Sequence, residues 1–526
     1  GVPKRVVSPL FVDRKREFAA LQDALGETLA GGASTVLIAG DAGVGKTRLT
    51  DEFRRHLAPS AVRWLNGDCV PLGEHQLPYA PITSALRSLA HGTDEVRGML
   101  ESTPEFARLL PELGVAGTGE APVSDQDSLA QSRLFERLLA LLARLSADCP
   151  LVFAVEDLHW ADRSTRDFLS FLIHNARGER VLLLCSYRSD ELHRRHPLRP
   201  FLVEHLRVAG VQTVELRPFS RSDAEAQLAG IIGAAPGVGL AERIFERSEG
   251  NAFFAEELLA AAEVGDASLP VTVRDALIVR IERLSEPTQA MLRVMAACGR
   301  RAQQALIAVA AQRAESDLDE SLREAVAAQV LTQDAGSGTL AFRHALLREA
   351  VYADLLPGER ARLHLALAEA MSADPRLAEP AGNAAAELAF HWRAANRPGA
   401  ALVASIEAGT QAEASYASAE ASGHFERALE LWDAVEDPEQ RAGMAKADVL
   451  LRAAQNALNS GQADPAVALA RQAIATIDTA SRPVTAGLAR QVLGRCLWNS
   501  GAPDDALAEY REAVALLPAE PPTAER

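Results

Sequence analysis

The 526 residues carry 71 acidic against 54 basic side chains, a formal net charge of −17 and a pI near 5.3, with 48% hydrophobic and 24% charged residues. That length suffices for about three or four domains with separate cores, and the acidic balance argues against a nucleic-acid surface, which needs clustered Lys and Arg. No apolar run approaches the roughly 18 residues of a membrane span and no signal-peptide core is present, so a cytoplasmic chain with no membrane partner is expected. The five cysteines, at 69, 149, 185, 298 and 496, form no C-x-x-C pair and read as buried reduced thiols.

Five strands are predicted in the first 216 residues, at 35–40, 61–69, 151–156, 181–187 and 211–216. Helical stretches separate them, among them the Leu-rich run 129–145, and 114–119 reads as a Gly-rich surface loop. Strands alternating with helices imply a mostly parallel sheet covered on both faces.

The first strand runs into Gly40-Asp41-Ala42-Gly43-Val44-Gly45-Lys46-Thr47, a complete G-x-x-x-x-G-K-[ST] phosphate-binding loop, and a helical segment follows from Arg48. Glycines that tolerate positive φ let successive N–H groups turn inward around an anion, and the following helix points its positive end the same way. Lys46 is expected on the β- and γ-phosphates and the Thr47 hydroxyl on Mg²⁺. Leu151-Val152-Phe153-Ala154-Val155-Glu156-Asp157 is an apolar strand ending in two acids, the Walker B pattern. Glu156 is assigned to the metal and Asp157 to polarising the attacking water. The 181–187 strand ends in Arg188, a candidate sensor of the γ-phosphate; a surface Arg closing a strand is the plainer reading.

Beyond about residue 220, Ala-rich helices dominate. Segments 330–333 and 339–342 around a Gly-Ser-Gly turn read as a hairpin among helices, the outline of a winged helix. Residues 357–526 read as helical throughout. Leu493, Gly494, Gly501, Ala506, Tyr510, Ala513 and Pro518 fall at tetratricopeptide-repeat positions, with weaker copies near 466–473 and 425–431, although the aromatic expected near Arg490 is missing. Irregular helical hairpins are the alternative. The start at Gly1 reads as processed or trimmed, and the end of the last repeat reads as cut.

Asp13-Arg14-Lys15-Arg16-Glu17, Glu156-Asp157-Leu158-His159-Trp160-Ala161-Asp162, Ser186-Tyr187-Arg188 and Gly250-Asn251-Ala252-Phe253-Phe254-Ala255-Glu256-Glu257-Leu258 give the chain a resemblance to the signal-transduction ATPases with numerous domains. Within them it looks most like the large ATP-binding regulators of the LuxR type. The resemblance implies an N-terminal α/β P-loop NTPase of the ASCE/AAA-like kind (1–219), a helical lid (220–268), a winged helix (269–356) and a tetratricopeptide-like sensor arm (357–526). It also implies that the Arg188 strand lies between the phosphate-loop and Walker B strands. Phe11, Val12 and the turn at 250–252 would line the adenine, with Arg48 among the nucleotide contacts. Asp13 stands where a glycine is usual, and Ala252 where a proline is usual. His344 matches the His of the Met-His-Asp segment of related switch ATPases, which touches the β-phosphate, while Ala345 departs from the Asp; a half-buried structural His is the plainer reading.

These features predict a switch, off with ADP and on with ATP, whose slow ATPase resets it. A small-molecule or protein inducer is expected on the arm, self-association in the ATP state, and DNA contact only through a domain outside this chain. The same module attached to an adenylate cyclase or a Ser/Thr protein kinase is one alternative, and a nucleotide-inert repeat scaffold is another.

Overall fold

The computed structural model describes residues 8–58, 61–69, 77–90, 92, 94–110, 127–262, 272–299, 301–333, 339–378 and 384–517. The loop at 114–119, the Gly-Ser-Gly turn, Pro518 and the residues after it lie outside that set.

Strands β1 (Ser34–Gly40), β2 (Arg63–Asp68), β3 (Leu151–Glu156), β4 (Val181–Arg188) and β5 (Val211–Glu215) form one parallel sheet in the order β2-β3-β4-β1-β5. The Arg188 strand therefore lies between the phosphate-loop strand and the Walker B strand, as the resemblance implied. Side chains alternate between two cores: Val36 and Ile38 of β1 pack on one face with Leu21, Leu49 and Phe53, and Leu37 and Ala39 pack on the other with Phe168 and Leu198. The register pairs Gly40 with Arg188 and Asp68 with Glu156. The carboxyl ends of β1, β3 and β4 thus share one edge, where ligands of open α/β sheets bind.

Helices Arg221–Ile232, Val238–Ser248 and Ala252–Ala262 surround a small core of their own around Leu228, Ile244 and Leu258. Next comes a helical unit holding a three-stranded antiparallel sheet in the order β6-β8-β7, from β6 (Arg301–Ala302), β7 (Leu331–Gln333) and β8 (Leu340–Phe342). Its core includes Leu367 and Met371 of the helix Pro357–Ala373.

Beyond it, every described element from Ala384 to Leu516 is a helix. Small residues let paired helices close up. A Cβ on Gly409 would sit 2.7 Å from the Phe425 ring, and one on Gly494 would sit 2.8 Å from Tyr510. This helical arm folds back over the sheet domain, so that Leu402, Ile406, Phe425 and Trp432 share a core with Tyr79, Phe135 and Phe168. Cys69, Cys185 and Cys496 are buried, whereas Cys149 and Cys298 are only half-buried; all five are free thiols. No helix among the described residues is long and apolar enough to cross a membrane.

Candidate functional site

The segment between β1 and the helix Lys46–His56 wraps on itself because Gly40, Gly43 and Gly45 all adopt positive φ, at +156°, +83° and +104°. Gly43 is also crowded: a Cβ there would come within 2.7 Å of Asn251 Oδ1 and 3.0 Å of Phe253 Cβ. Lys46, 7% exposed, donates from Nζ to the carbonyls of Gly40 (2.7 Å) and Asp41 (2.8 Å). Burial draws its ammonium down to about 8, against the opposing pull of Asp157. Thr47 Oγ1 donates to Glu156 Oε2 at 3.2 Å, joining the helix start to the end of β3.

Asp157 takes a left-handed backbone (φ 56°, ψ 45°), and its N–H donates to Ser186 Oγ on β4 at 3.2 Å. That turn carries the chain into Leu158-His159-Trp160. His159 Nδ1 accepts the Arg188 N–H at 3.3 Å, and the Arg188 guanidinium lies 4.8 Å from the centre of the Trp160 ring. Arg188 is 4% exposed and donates to Glu191 and, at 3.2 Å, to Glu349 on the helix Ala345–Asp354. Those carboxylates hold its guanidinium charged despite burial.

The second wall comes from the helices after residue 220. Asn251 Nδ2 donates to Ala42 O at 2.8 Å and the Phe253 N–H to Gly43 O at 3.1 Å, so the turn grips the glycine loop by its carbonyls. Gly250 is required there, since a Cβ would meet Phe219 O at 2.2 Å. Ala252 opens the helix Ala252–Ala262, a first-turn position that proline also suits. Asp13 adopts φ +30°, which accounts for the glycine usual at that place. Arg14 behind it donates to Val44 O and Arg217 O. The His344 side chain caps the helix that carries Glu349 through the Leu346 N–H (3.4 Å), and its ring stacks on Phe253 at 4.0 Å.

These parts enclose a cavity of about 350 Å³, within the usual range for small-molecule sites. Of the residues picked from sequence, Phe11, Val12, Ala42, Gly43, Val44, Gly45, Lys46, Thr47, Arg48, Asp157, Arg188 and His344 line it. Gly40 and Asp41 sit behind the loop and hold Lys46, while Glu156 reaches the site through Thr47.

Cavity residues not found from sequence include Arg343, Gln227 and Arg280, and two acids outside the lining, Glu349 and Glu420, tie other units to the sheet domain. Glu257 pairs with Arg280, and burial raises both Glu257 and Glu256, the latter to about 7. Glu420 of the arm accepts the N–H groups of Arg163 (2.8 Å) and Ser164 (3.2 Å) and the Ser164 hydroxyl, at the start of the helix Arg163–Asn175. Asp162, at the end of the His-Trp-Ala-Asp segment, caps the same helix through the Thr165 N–H at 2.8 Å and accepts the Tyr79 N–H at 3.2 Å. Nothing local marks Glu420 or Glu349, since each meets its partner more than a hundred residues away.

Residues 10–184 match the AAA ATPase domain family. Over 229 residues, 39% of this chain, the protein is 31% identical to an uncharacterized protein of Rhizobium meliloti (strain 1021). It spans 22% of that protein's length. Among solved structures it is similar to a signal-transduction ATPase with a tetratricopeptide-repeat sensor from Pyrococcus horikoshii (14% identity, 98% of this chain and 78% of that one, TM-score 0.42). It is also similar to the Drosophila origin recognition complex bound to DNA (14% identity, 67% of this chain and 90% of that one, TM-score 0.32).

Proposed function

We propose that this chain is a nucleotide-dependent switch: the sheet edge binds ATP or ADP with Mg²⁺, and the bound state sets whether the helical units stay packed on it. The observation that carries the reading is Arg188, whose guanidinium lines the cavity and at the same time ties β4 to Glu349. One cation facing both ways is what a γ-phosphate sensor coupled to a moving unit requires.

The residues present fit the ligand. The left-handed glycine loop presents N–H groups at a helix start, and Lys46 is buried beside it. Thr47 and Glu156 are already joined, an oxygen pair suited to a hard cation. Magnesium nucleotide would supply a cleavable phosphoanhydride and a charge that differs by state. Thr47 and Glu156 would hold the metal, Lys46 and the amides of 43–48 the phosphates, and Phe11 and Val12 the base. Asp157, its backbone fixed by Ser186, is the side chain suited to orient water. As a carboxylate one methylene shorter than Glu, and with no arginine finger assigned, it supports slow turnover that resets the state.

Inverting a population from 1:99 to 99:1 takes about 5.5 kcal/mol of differential binding, and one charge-assisted hydrogen bond contributes about 1.5–3 kcal/mol. Exchange of Arg188 between Glu349 and a phosphate therefore needs a second input. The arm supplies one, since Glu420 docks it on the helix that follows the His-Trp-Ala-Asp segment. On this reading the unit with β6, β7 and β8 is a winged helix used as a moving part, and the arm takes up the inducer. The ATP form self-associates in the cytoplasm. The output is transcription of the LuxR-regulator type, through a DNA-binding domain outside this chain. Calorimetric titration of ATP and ADP with Mg²⁺ tests the core of it: wild type binds both, and Lys46→Ala binds neither at the same concentrations. Equal uptake by both proteins would refute the site.

A further inference from the structure

The helices Arg163–Asn175 and Leu198–His205 meet at their last turns, where the His174 and His205 rings lie 5.1 Å apart between centres. His205 is fully buried and its ring is fixed from two sides: Nδ1 lies 2.6 Å from Phe201 O, and the Phe201 ring stands 4.3 Å away. His174 is exposed, with Nδ1 2.9 Å from Ser170 O. A carbonyl only accepts, so in each neutral ring Nδ1 carries the hydrogen and Nε2 the lone pair. On His205 that lone pair accepts the Ser170 hydroxyl at 2.8 Å. On His174 no donor among the described residues reaches it. Glu204 adds an exposed carboxylate that makes no hydrogen bond or ion pair among the described residues. One nitrogen of each ring and a Glu204 oxygen all lie within 4.8 Å of one another.

Two imidazoles and one carboxylate are a zinc-type donor set, whereas Mg²⁺ and Ca²⁺ take oxygen ligands. Backbone carbonyls on both Nδ1 atoms are the outer contacts that hold ligating histidines in the metal-binding tautomer. Both rings also sit in the last turn of a helix, where the macrodipole favours a cation. Bonds of about 2.1 Å set tetrahedral ligands about 3.4 Å apart, so the group has to close up around an ion. His174 and Glu204 are exposed and can swing inward, and a rotation of the Ser170 hydroxyl releases His205 Nε2. We propose that His174, Glu204 and His205 bind a divalent transition-metal ion of the zinc class, with water in the fourth position. The ion would staple the ends of the two helices together. One of them begins at the Glu420 contact and the other follows the Arg188 strand, so the staple joins the arm's docking helix to the exit of β4. None of the three residues lines the nucleotide cavity.

The test titrates the chelator-stripped full chain with Zn²⁺ by calorimetry and with Co²⁺ by visible absorption. Wild type is expected to take up one equivalent of Zn²⁺ and to give the intense bands of four-coordinate Co²⁺, with excess Mg²⁺ displacing neither ion. His174→Ala and Glu204→Gln, both at exposed positions, are expected to lower Zn²⁺ affinity at least about tenfold and to lose the bands. Their far-ultraviolet circular dichroism should match wild type. Zn²⁺ is expected to raise the Tm of wild type and to leave that of His174→Ala unchanged. Lys46→Ala is expected to keep the Zn²⁺ uptake and the Co²⁺ bands, which separates this ion from any at the phosphate loop. Folded wild type that takes up no Zn²⁺, or equal Zn²⁺ affinity in wild type and His174→Ala, would overturn the proposal.

Discussion

Replacing Glu420 by Gln is expected to remove a pH dependence from the docking of the arm. The Glu420 carboxylate is enclosed between the arm and the start of the helix Arg163–Asn175, with Asp162 close by, and burial pushes it up to about 7 from an ordinary 4.5. The folded form therefore binds a proton that the undocked form releases. A raised carboxyl contributes stability in full below pH 4.5, loses it as pH climbs, and contributes none above about 7. A rise from 4.5 to about 7 corresponds to about 3 kcal/mol between the two limits. The readout is hydrogen exchange of the Arg163 and Ser164 amides, which donate to Glu420. Corrected for intrinsic rates, their opening free energy should fall by about 2–3 kcal/mol from pH 5 to pH 8 in wild type and fall less steeply in Glu420→Gln, where the buried Asp162 carboxyl, also raised, keeps part of the slope. An equal slope in both proteins would refute the argument, because another group would then own the proton.

Three further outcomes are expected. Lys46 is drawn down to about 8, so polyphosphate binding must return its proton above that pH. ATP affinity measured by calorimetry should therefore fall by up to about tenfold per pH unit above 8, and an affinity that stays level from pH 8 to pH 10 would contradict it. Glu349→Gln weakens the hold on Arg188 without emptying its surroundings, and should raise the preference for ATP over ADP by about three- to tenfold in competition binding. Gly43→Ala forces a side chain onto a left-handed backbone and into Asn251. About 1–2 kcal/mol of strain should loosen the lid, seen as faster exchange at the Phe253 amide that donates to the loop.

Much of the fold was legible because its signals are local. The apolar strands announce the sheet, and the spacing of Gly40, Gly43, Gly45, Lys46 and Thr47 announces the loop. Walker B is marked because an apolar strand rarely ends in two acids behind such a loop. The sheet order came from the resemblance, not from periodicity. What stayed hidden lies in long-range pairing. Glu420 looks like any acid on an amphipathic helix, and Glu349 sits on a helical face like many others. Gln227 is a polar residue on an ordinary helix, and only the folded chain reveals that it lines the cavity with Leu10 and Phe11. For His344, where a half-buried structural His was the plainer reading beside a switch role, the stacking on the Phe253 ring was equally invisible in sequence.

The most direct measurement of state-dependent coupling is hydrogen exchange across the helix Ala345–Asp354 in saturating Mg²⁺ with either ADP or a non-hydrolysable ATP analogue. The account predicts markedly faster exchange around Glu349 with the triphosphate, since Arg188 then has a second acceptor. Identical exchange in the two fully occupied forms would contradict it.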